Sequence, residues 1–312
     1  MITGSKAFLK PLAPFLGAIA LACASNPALA AEITFHRSFT SSGQVTLDVC
    51  TNAGTIHVTG MDGNKVEVNA KVHNSNWHAL GNPEEMKKIA ADPPVKQTGN
   101  AVHVGNHNTC GSHLLQNISI DYEISLPKNS SVVANSGSGE VRVESIEGAV
   151  RAASGSGSIQ ASDIGAGSKL ETGSGTVDIQ SAHGDIKASS GSGDVSIRDS
   201  DVTEAHLQAG SGNITATNLH GGLHANTGSG NLTLSGMPTA DWKIETGTGA
   251  IHCHLDANAK ITVDAETGSG SVHSKLPLPS SGKSTHSSLR GPVNGGGPLI
   301  KMITGSGNID LE

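Results

Sequence analysis

One short phrase, a small residue, polar in all copies but one, followed by Gly-Ser-Gly or Gly-Thr-Gly, recurs nine times and leaves this chain few ways to fold. Its first glycine falls at Gly137, Gly155, Gly173, Gly191, Gly210, Gly228, Gly247 and Gly268, in steps of 18, 18, 18, 19, 18, 19 and 21 residues, and a last copy stands at Gly305. Self-similarity at such a period marks a solenoid, in which each repeat is one coil stacked on its neighbours.

The residues between the phrases say what kind of coil it is. After each phrase the first inward candidate reads Val141, Ile159, Val177, Val195, Ile214, Leu232, Ile251, Val272 and Ile309, and the second falls two residues on, at Val143, Ala161, Ile179, Ile197, Ala216, Leu234, Cys253, Ser274 and Leu311. Polar residues separate them, and such alternation is a strand with one face buried. A second strand precedes each phrase, with Val150 and Ala152, Ile186 and Ala188, Leu223 and Ala225, or Trp242 and Ile244 pointing inward. Glycine at both ends of Gly-x-Gly permits positive φ or a close pass by the next coil. One coil buries about four modest side chains worth roughly 1.5–3 kcal/mol each, against an ordering cost of about 1–2 kcal/mol per residue. A lone coil cannot fold, so stacking is obligatory. The expected fold is all-β: a single parallel β-solenoid of about 18-residue coils, β-helix-like, behind an irregular N-terminal β cap carrying one short helix.

Three segments follow in chain order. Residues 1–30 read as a signal peptide, with Lys6 and Lys10 before an apolar run and Ala28-Leu29-Ala30 at the cleavage point. The mature chain should start at Ala31, exported to the periplasm, cell surface or medium. Cys23 offers a competing lipoprotein reading, although Ala20 stands where leucine is expected. No later apolar run approaches the ~20 residues of a membrane span, so no transmembrane segment is expected in the mature chain.

Residues 31–130 read as the cap and entry coils, and 131–312 as the repeat solenoid. In the cap, Gln44 to Val49 and Lys65 to Val72 alternate as strands, and Gly54-Thr55-Ile56-His57-Val58 is a worn copy of the repeat. Asn82-Pro83-Glu84-Glu85 opens a helix ending near Ala91; Asn100 to Val104 and Gln116 to Leu126 are further strands. Beyond Gly268 a turn-rich excursion precedes Leu299 to Thr304 and the closing Asn308-Ile309-Asp310-Leu311-Glu312. Asp310 and Glu312 would place charge on the last sheet edge, guarding it against pairing with other chains.

The leader, the worn glycine strand, the short helix, the Ser/Thr-Gly-Ser-Gly coils and the closing Leu289-Arg290-Gly291-Pro292-Val293-Asn294-Gly295-Gly296-Gly297-Pro298 together resemble the bacterial putative-adhesin family, an exported domain of unknown function with β-strand repeats. The resemblance spans the whole mature chain, but its motifs are scaffold motifs. It implies a β-solenoid of the cell envelope, adhesion as the proposed role, and no catalytic residues to carry over.

Charge and composition narrow the partners. The formal net charge is −7, made more acidic by loss of the leader, so the phosphate backbone of nucleic acid is not an expected ligand. Aromatics are 2% of the chain, too few for stacking platforms. Calcium β-rolls need aspartate where Val141, Ile159 and Val177 stand, and no Lys-Ser/Thr follows the glycines to make a nucleotide loop. A flat threonine face for ice is missing, only Thr215 and Thr233 adjoining.

Among metal-ligating types, His103, His107, Cys110 and His113 cluster in one turn-rich loop, with residue types that zinc accepts. His252 and His273 fall at equivalent places on adjacent coils, so their rings should lie about 4.8 Å apart on one face, with His254 nearby, types that suit zinc or copper. The simpler use of Cys110 is a disulfide with Cys50 in an oxidising compartment, while Cys253 reads as buried packing. For catalysis, the outward row Arg142, Gln160, Asp178, Ser196, Thr215, Thr233, His252, His273 holds one carboxylate, and the neighbouring row places Asp194 near Asp178 but offers no basic cluster there. No cofactor and no enzymatic activity are therefore expected. The reading is an exported scaffold that presents its walls to an unknown envelope protein or glycan, with a glycan-active β-helix enzyme and a periplasmic metal-binding protein as the alternatives.

Overall fold

The computed structural model describes residues 32–74, 83–105, 118–165, 167–256, 258–276 and 283–312. The expected leader, including Cys23, falls outside them. The N-terminal part runs β1 (Ile33–Thr40), β2 (Thr46–Thr51), β3 (Ile56–Met61), β4 (Lys65–Asn74), α1 (Pro83–Ala91), β5 (Val95–Thr98), β6 (Ala101–Val104) and β7 (Ile118–Pro127). The middle runs β8 (Ser131–Ser136), β9 (Val141–Ile146), β10 (Val150–Ser154), β11 (Ile159–Ile164), β12 (Ser168–Thr172), β13 (Val177–Ser190), β14 (Val195–Ala209), β15 (Ile214–Ser229) and β16 (Leu232–Thr248). The chain finishes with β17 (Ile251–Leu255), β18 (Ile261–Ser269), β19 (Val272–Ser274), β20 (Lys283–Ser284), β21 (Ser288–Val293), β22 (Leu299–Ser306) and β23 (Ile309–Leu311). All belong to one mixed sheet wound into a solenoid-like body. Among the described residues no helix is long and apolar enough to cross a membrane.

Two parallel ladders form its walls. Strands that follow the glycine phrase pair in register, Val141 with Ile159, then Val177, Val195, Ile214, Leu232 and Ile251. Those that precede it do the same on the other wall, Ala152 with Leu170, Ala188, Leu207, Ala225 and Ile244. The inward residues are buried as the alternation requires. Between the walls the chain turns through a residue in the left-handed region at Ser145, Asp163, Ser181, Asp199 and Asn218, residue types that tolerate it. That twist brings one more residue per coil inward, Ile146, Ile164, Ala182, Ser200 or Leu219.

The other corner is the glycine phrase, and in the middle coils close packing rather than φ demands its glycines. A Cβ on Gly173 would lie 2.4 Å from the carbonyl oxygen of Gly155, and one on Gly175 would lie 2.2 Å from that of Gly157. Neither glycine has positive φ. Where the residue before the phrase carries a hydroxyl, that hydroxyl is buried and donates to a glycine carbonyl of the neighbouring coil, and in the first four copies it serves two turns at once. Thr172 Oγ1 donates to the Gly157 carbonyl at 2.8 Å and accepts from Gly175 N at 3.2 Å; Ser154 and Ser190 repeat the pattern. Buried carbonyls need such partners. Ala209 is the one copy that brings no hydroxyl.

Both ends depart from a simple parallel stack. β2 lies between β6 and β8, and β3 between β7 and β9, so the first coil sits one place inside the second. The last coil does likewise: β22 lies between β16 and β18, and β23 between β17 and β19. Antiparallel strands then cover the outer coils, β4 and β1 beyond β7, β5 beside β6, and β21 and β20 beyond β18. This corrects the expectation of a purely parallel sheet, and it removes Asp310 and Glu312 from the last edge. A terminal strand hydrogen-bonded on both sides resists the fraying and edge pairing that an end strand invites. α1, with Met86 and Ala90 buried, lies against β1 and β4.

Candidate functional site

The wall built by the strands before each glycine phrase carries the most distinctive surface. Because these strands pair in parallel register, the residue between the two inward positions of each coil stacks into one file: Arg151, Lys169, Lys187, His206, His224, Lys243 and Lys301. With rungs about 4.8 Å apart, the six steps span roughly 29 Å along the axis. Lys169 and Lys243 are held by Glu171 and Glu245 two residues along their own strands, at 2.8 and 3.1 Å. Among the described residues, Arg151, Lys187 and Lys301 have no ion-pair or side-chain hydrogen-bond partner. An open groove of about 420 Å³ lies over the middle of the file, floored by Ala188, Leu207 and Ala225 and rimmed by Lys169, Lys187 and Lys243.

Two of its lining residues, His206 and His224, converge with Glu204 beside the groove. Glu204 Oε2 lies 3.3 Å from His206 Nε2, and Oε1 lies 3.9 Å from His224 Nε2. The two rings meet edge to face with centroids 5.1 Å apart. Residues two apart on a strand share a face, and residues one coil apart stand side by side on adjacent rungs, so the chain places all three by register alone. The sequence reading missed this file because it sorted only the inward residues of these strands. The signal was present: Arg151 to Lys243 step by 18, 18, 19, 18 and 19, in phase with the glycines.

On the opposite wall the acids singled out from the sequence have structural employment. Asp178 accepts two hydrogen bonds from Arg198 Nη2 at 2.8 and 2.9 Å and one from Ser196 Oγ at 2.7 Å. Asp194 Oδ1 accepts from the backbone N–H of Asn213 at 2.7 Å, and Asn213 and Asn231 pass the same bond to the next coils. His252 and His273 are not adjacent, a correction with a clear cause: β23 inserts between their coils, and Asp310 faces both. His252 Nδ1 pairs with Asp310 Oδ2 at 3.2 Å, and His273 Nε2 meets Ser271 Oγ at 3.0 Å.

Of the loop candidates, His103 lies on β6 with Nδ1 3.6 Å from Asp48 Oδ2, while His107, Cys110 and His113 fall outside the described residues. Cys50 is disulfide-bonded; the expected partner, Cys110, is among the residues not described. Cys253 is free and buried, and burial pushes its thiol up to about 12. A second groove of about 490 Å³ lies over the N-terminal strands, between His36, Lys71, Asp121 and His57. Tyr122 lies beneath it, 2% exposed; among the described residues its hydroxyl has no hydrogen-bond partner, and burial holds its pKa well above the ordinary value.

Residues 28–312 match the family described as Toastrack DUF4097. Among curated proteins none matches the sequence. Similar solved structures include a putative cell adhesion protein from Clostridium sporogenes, 12% identical, covering 90% of this chain and 99% of that one with a TM-score of 0.26. A putative adhesin from Bacteroides fragilis is 14% identical over 89% of this chain and 97% of its own, with a TM-score of 0.38. A putative lipid binding protein from Parabacteroides distasonis is 12% identical over 89% and 96%, with a TM-score of 0.44.

Proposed function

Since this chain belongs to the Toastrack DUF4097 family, a domain of unknown function, we propose that it is a non-catalytic, exported interaction protein of the cell envelope that docks an acidic glycan along the wall from Arg151 to Lys301. The observation that carries the proposal is the unbroken file of five permanent cations and two imidazoles on a chain of net charge −7. Acids flank the file, with Asp185 beside Glu204 on one side and Glu171 and Glu245 on the other. That arrangement suits a single chain of anions lying along the axis better than a broad anionic surface, because displaced sideways the partner meets like charge. A non-catalytic role is supported by the use already made of Asp178 and Asp194, one in an ion pair and one in a backbone cap.

The test is retention of the mature protein on an immobilised polyuronate and on a neutral glucan. Binding to the polyuronate alone is expected, weakening as salt screens the charges over a Debye length of about 10 Å at 0.1 M. The triple variant Arg151→Ala, Lys187→Ala, Lys301→Ala should lose it. Equal retention on both polymers, or an unchanged triple variant, would sink the proposal, and released oligosaccharide in the same incubations would convert it into an enzyme.

A further inference from the structure

We propose that Glu204, His206 and His224 form a binding site for a borderline divalent transition-metal ion, of which zinc is the probe chosen. This goes beyond the docking of a partner and does not depend on it, since the three side chains come together whatever lies along the wall. Their ligand atoms all fall within 4.8 Å of one another. Zinc bonds of about 2.0–2.1 Å to imidazole and 2.0–2.2 Å to carboxylate place tetrahedral ligand atoms about 3.3 Å apart. The observed 3.3 Å and 3.9 Å separations from Glu204 to the two Nε2 atoms are at that value or a short side-chain rotation from it.

Register makes the convergence specific to this rung. Glu204 faces Gly222 across the ladder, and His206 faces His224, so the four positions make a square with ligands at three corners. The fourth corner brings no side chain. Three protein ligands with one position left open is the arrangement of zinc sites that also take a ligand from solution. Two imidazoles and one carboxylate favour zinc or copper over magnesium or calcium, which prefer all-oxygen shells. Lys187 and Lys243 stand one rung to either side. Lys243 is turned to Glu245 at 3.1 Å, and Asp185 stands beside Glu204, offsetting the two ammonium charges. Elsewhere on the body the coupling differs: His252 is separated from His273 by Asp310 and pairs with that carboxylate singly.

The experiment is zinc titration of the chelator-stripped mature protein, by calorimetry and by equilibrium dialysis, in the absence of any glycan. One equivalent should bind saturably. His206→Ala with His224→Ala should abolish it, and Glu204→Gln should weaken it by more than the roughly 10–100-fold that loss of a supporting residue costs. His252→Ala with His273→Ala should leave it unchanged. The histidines are on the solvent-facing wall, and circular dichroism of each variant checks that the fold is retained. The proposal is overturned by an absence of saturable binding, or by an equivalent that survives the His206/His224 double variant, including one removed instead by replacing His107 and His113.

Discussion

Replacing Ala209 with serine should stabilise this protein by about 1 kcal/mol. Ala209 stacks between Ser190 and Thr227, each of which is buried and sends its hydroxyl to a glycine carbonyl of the preceding turn, Gly175 and Gly212, at 2.8 Å. By the same geometry a hydroxyl at 209 would donate to the Gly193 carbonyl and accept from Gly212 N, as Ser190 accepts from Gly193 N at 2.9 Å. A net gain of about 0.5–1.5 kcal/mol per buried hydrogen bond, less the ordering of one small side chain, gives the figure. The reverse change is Thr227→Val, which keeps the shape of a side chain only 1% exposed and removes its hydroxyl. It should cost about 1–3 kcal/mol, since the Gly212 carbonyl then loses a donor away from water. Urea unfolding followed by the fluorescence of buried Trp242 reads both changes. With a slope near 3 kcal/mol per M, the serine variant's midpoint should rise by about 0.3 M. If neither variant moves the midpoint, the hydroxyl file only fills space and the reasoning fails.

Two further changes probe the coil and its core. Ile197→Asp places an unpaired charge where the side chain is fully buried and should cost at least about 3 kcal/mol, whereas Thr233→Asp, on the outward face between Thr215 and His252, should stay within about 0.5 kcal/mol; similar losses would contradict the register. Ser196 does not suit as the silent partner, because its hydroxyl donates to Asp178 and a carboxylate there would repel it. The Cys253 thiol, pushed up to about 12 by burial, should resist alkylation at pH 8 in the folded protein and react once unfolded, when its pKa returns to about 8.5. Labelling of Cys253 in the native state at the rate of a free thiol would refute the assignment.

By itself the sequence determined the coil. The 18-residue period, the alternation from Val141 to Leu234 and the start of α1 at Pro83 each rest on short-range physics: a turn too crowded for a Cβ, a strand repeat of two residues, and a proline whose fixed φ suits a first helical position. Those constraints are the same in every copy, and for that reason they could not decide which coil lies beside which. Leu299 to Ser306 offers the same alternating strand as β16 and β18 and the same turn, Thr-Gly-Ser as in β18 or Thr-Gly-Thr as in β16, so its place between them is a choice among equivalent edges. Tertiary structure made that choice, because a coil inserted one place inward gains hydrogen bonds on both sides. The same insertion parted His252 from His273. In-register stacking, which no single repeat reveals, assembled the file from Arg151 to Lys301 and brought Glu204 to His206 and His224, since neighbours on a wall are residues one full coil apart in the chain.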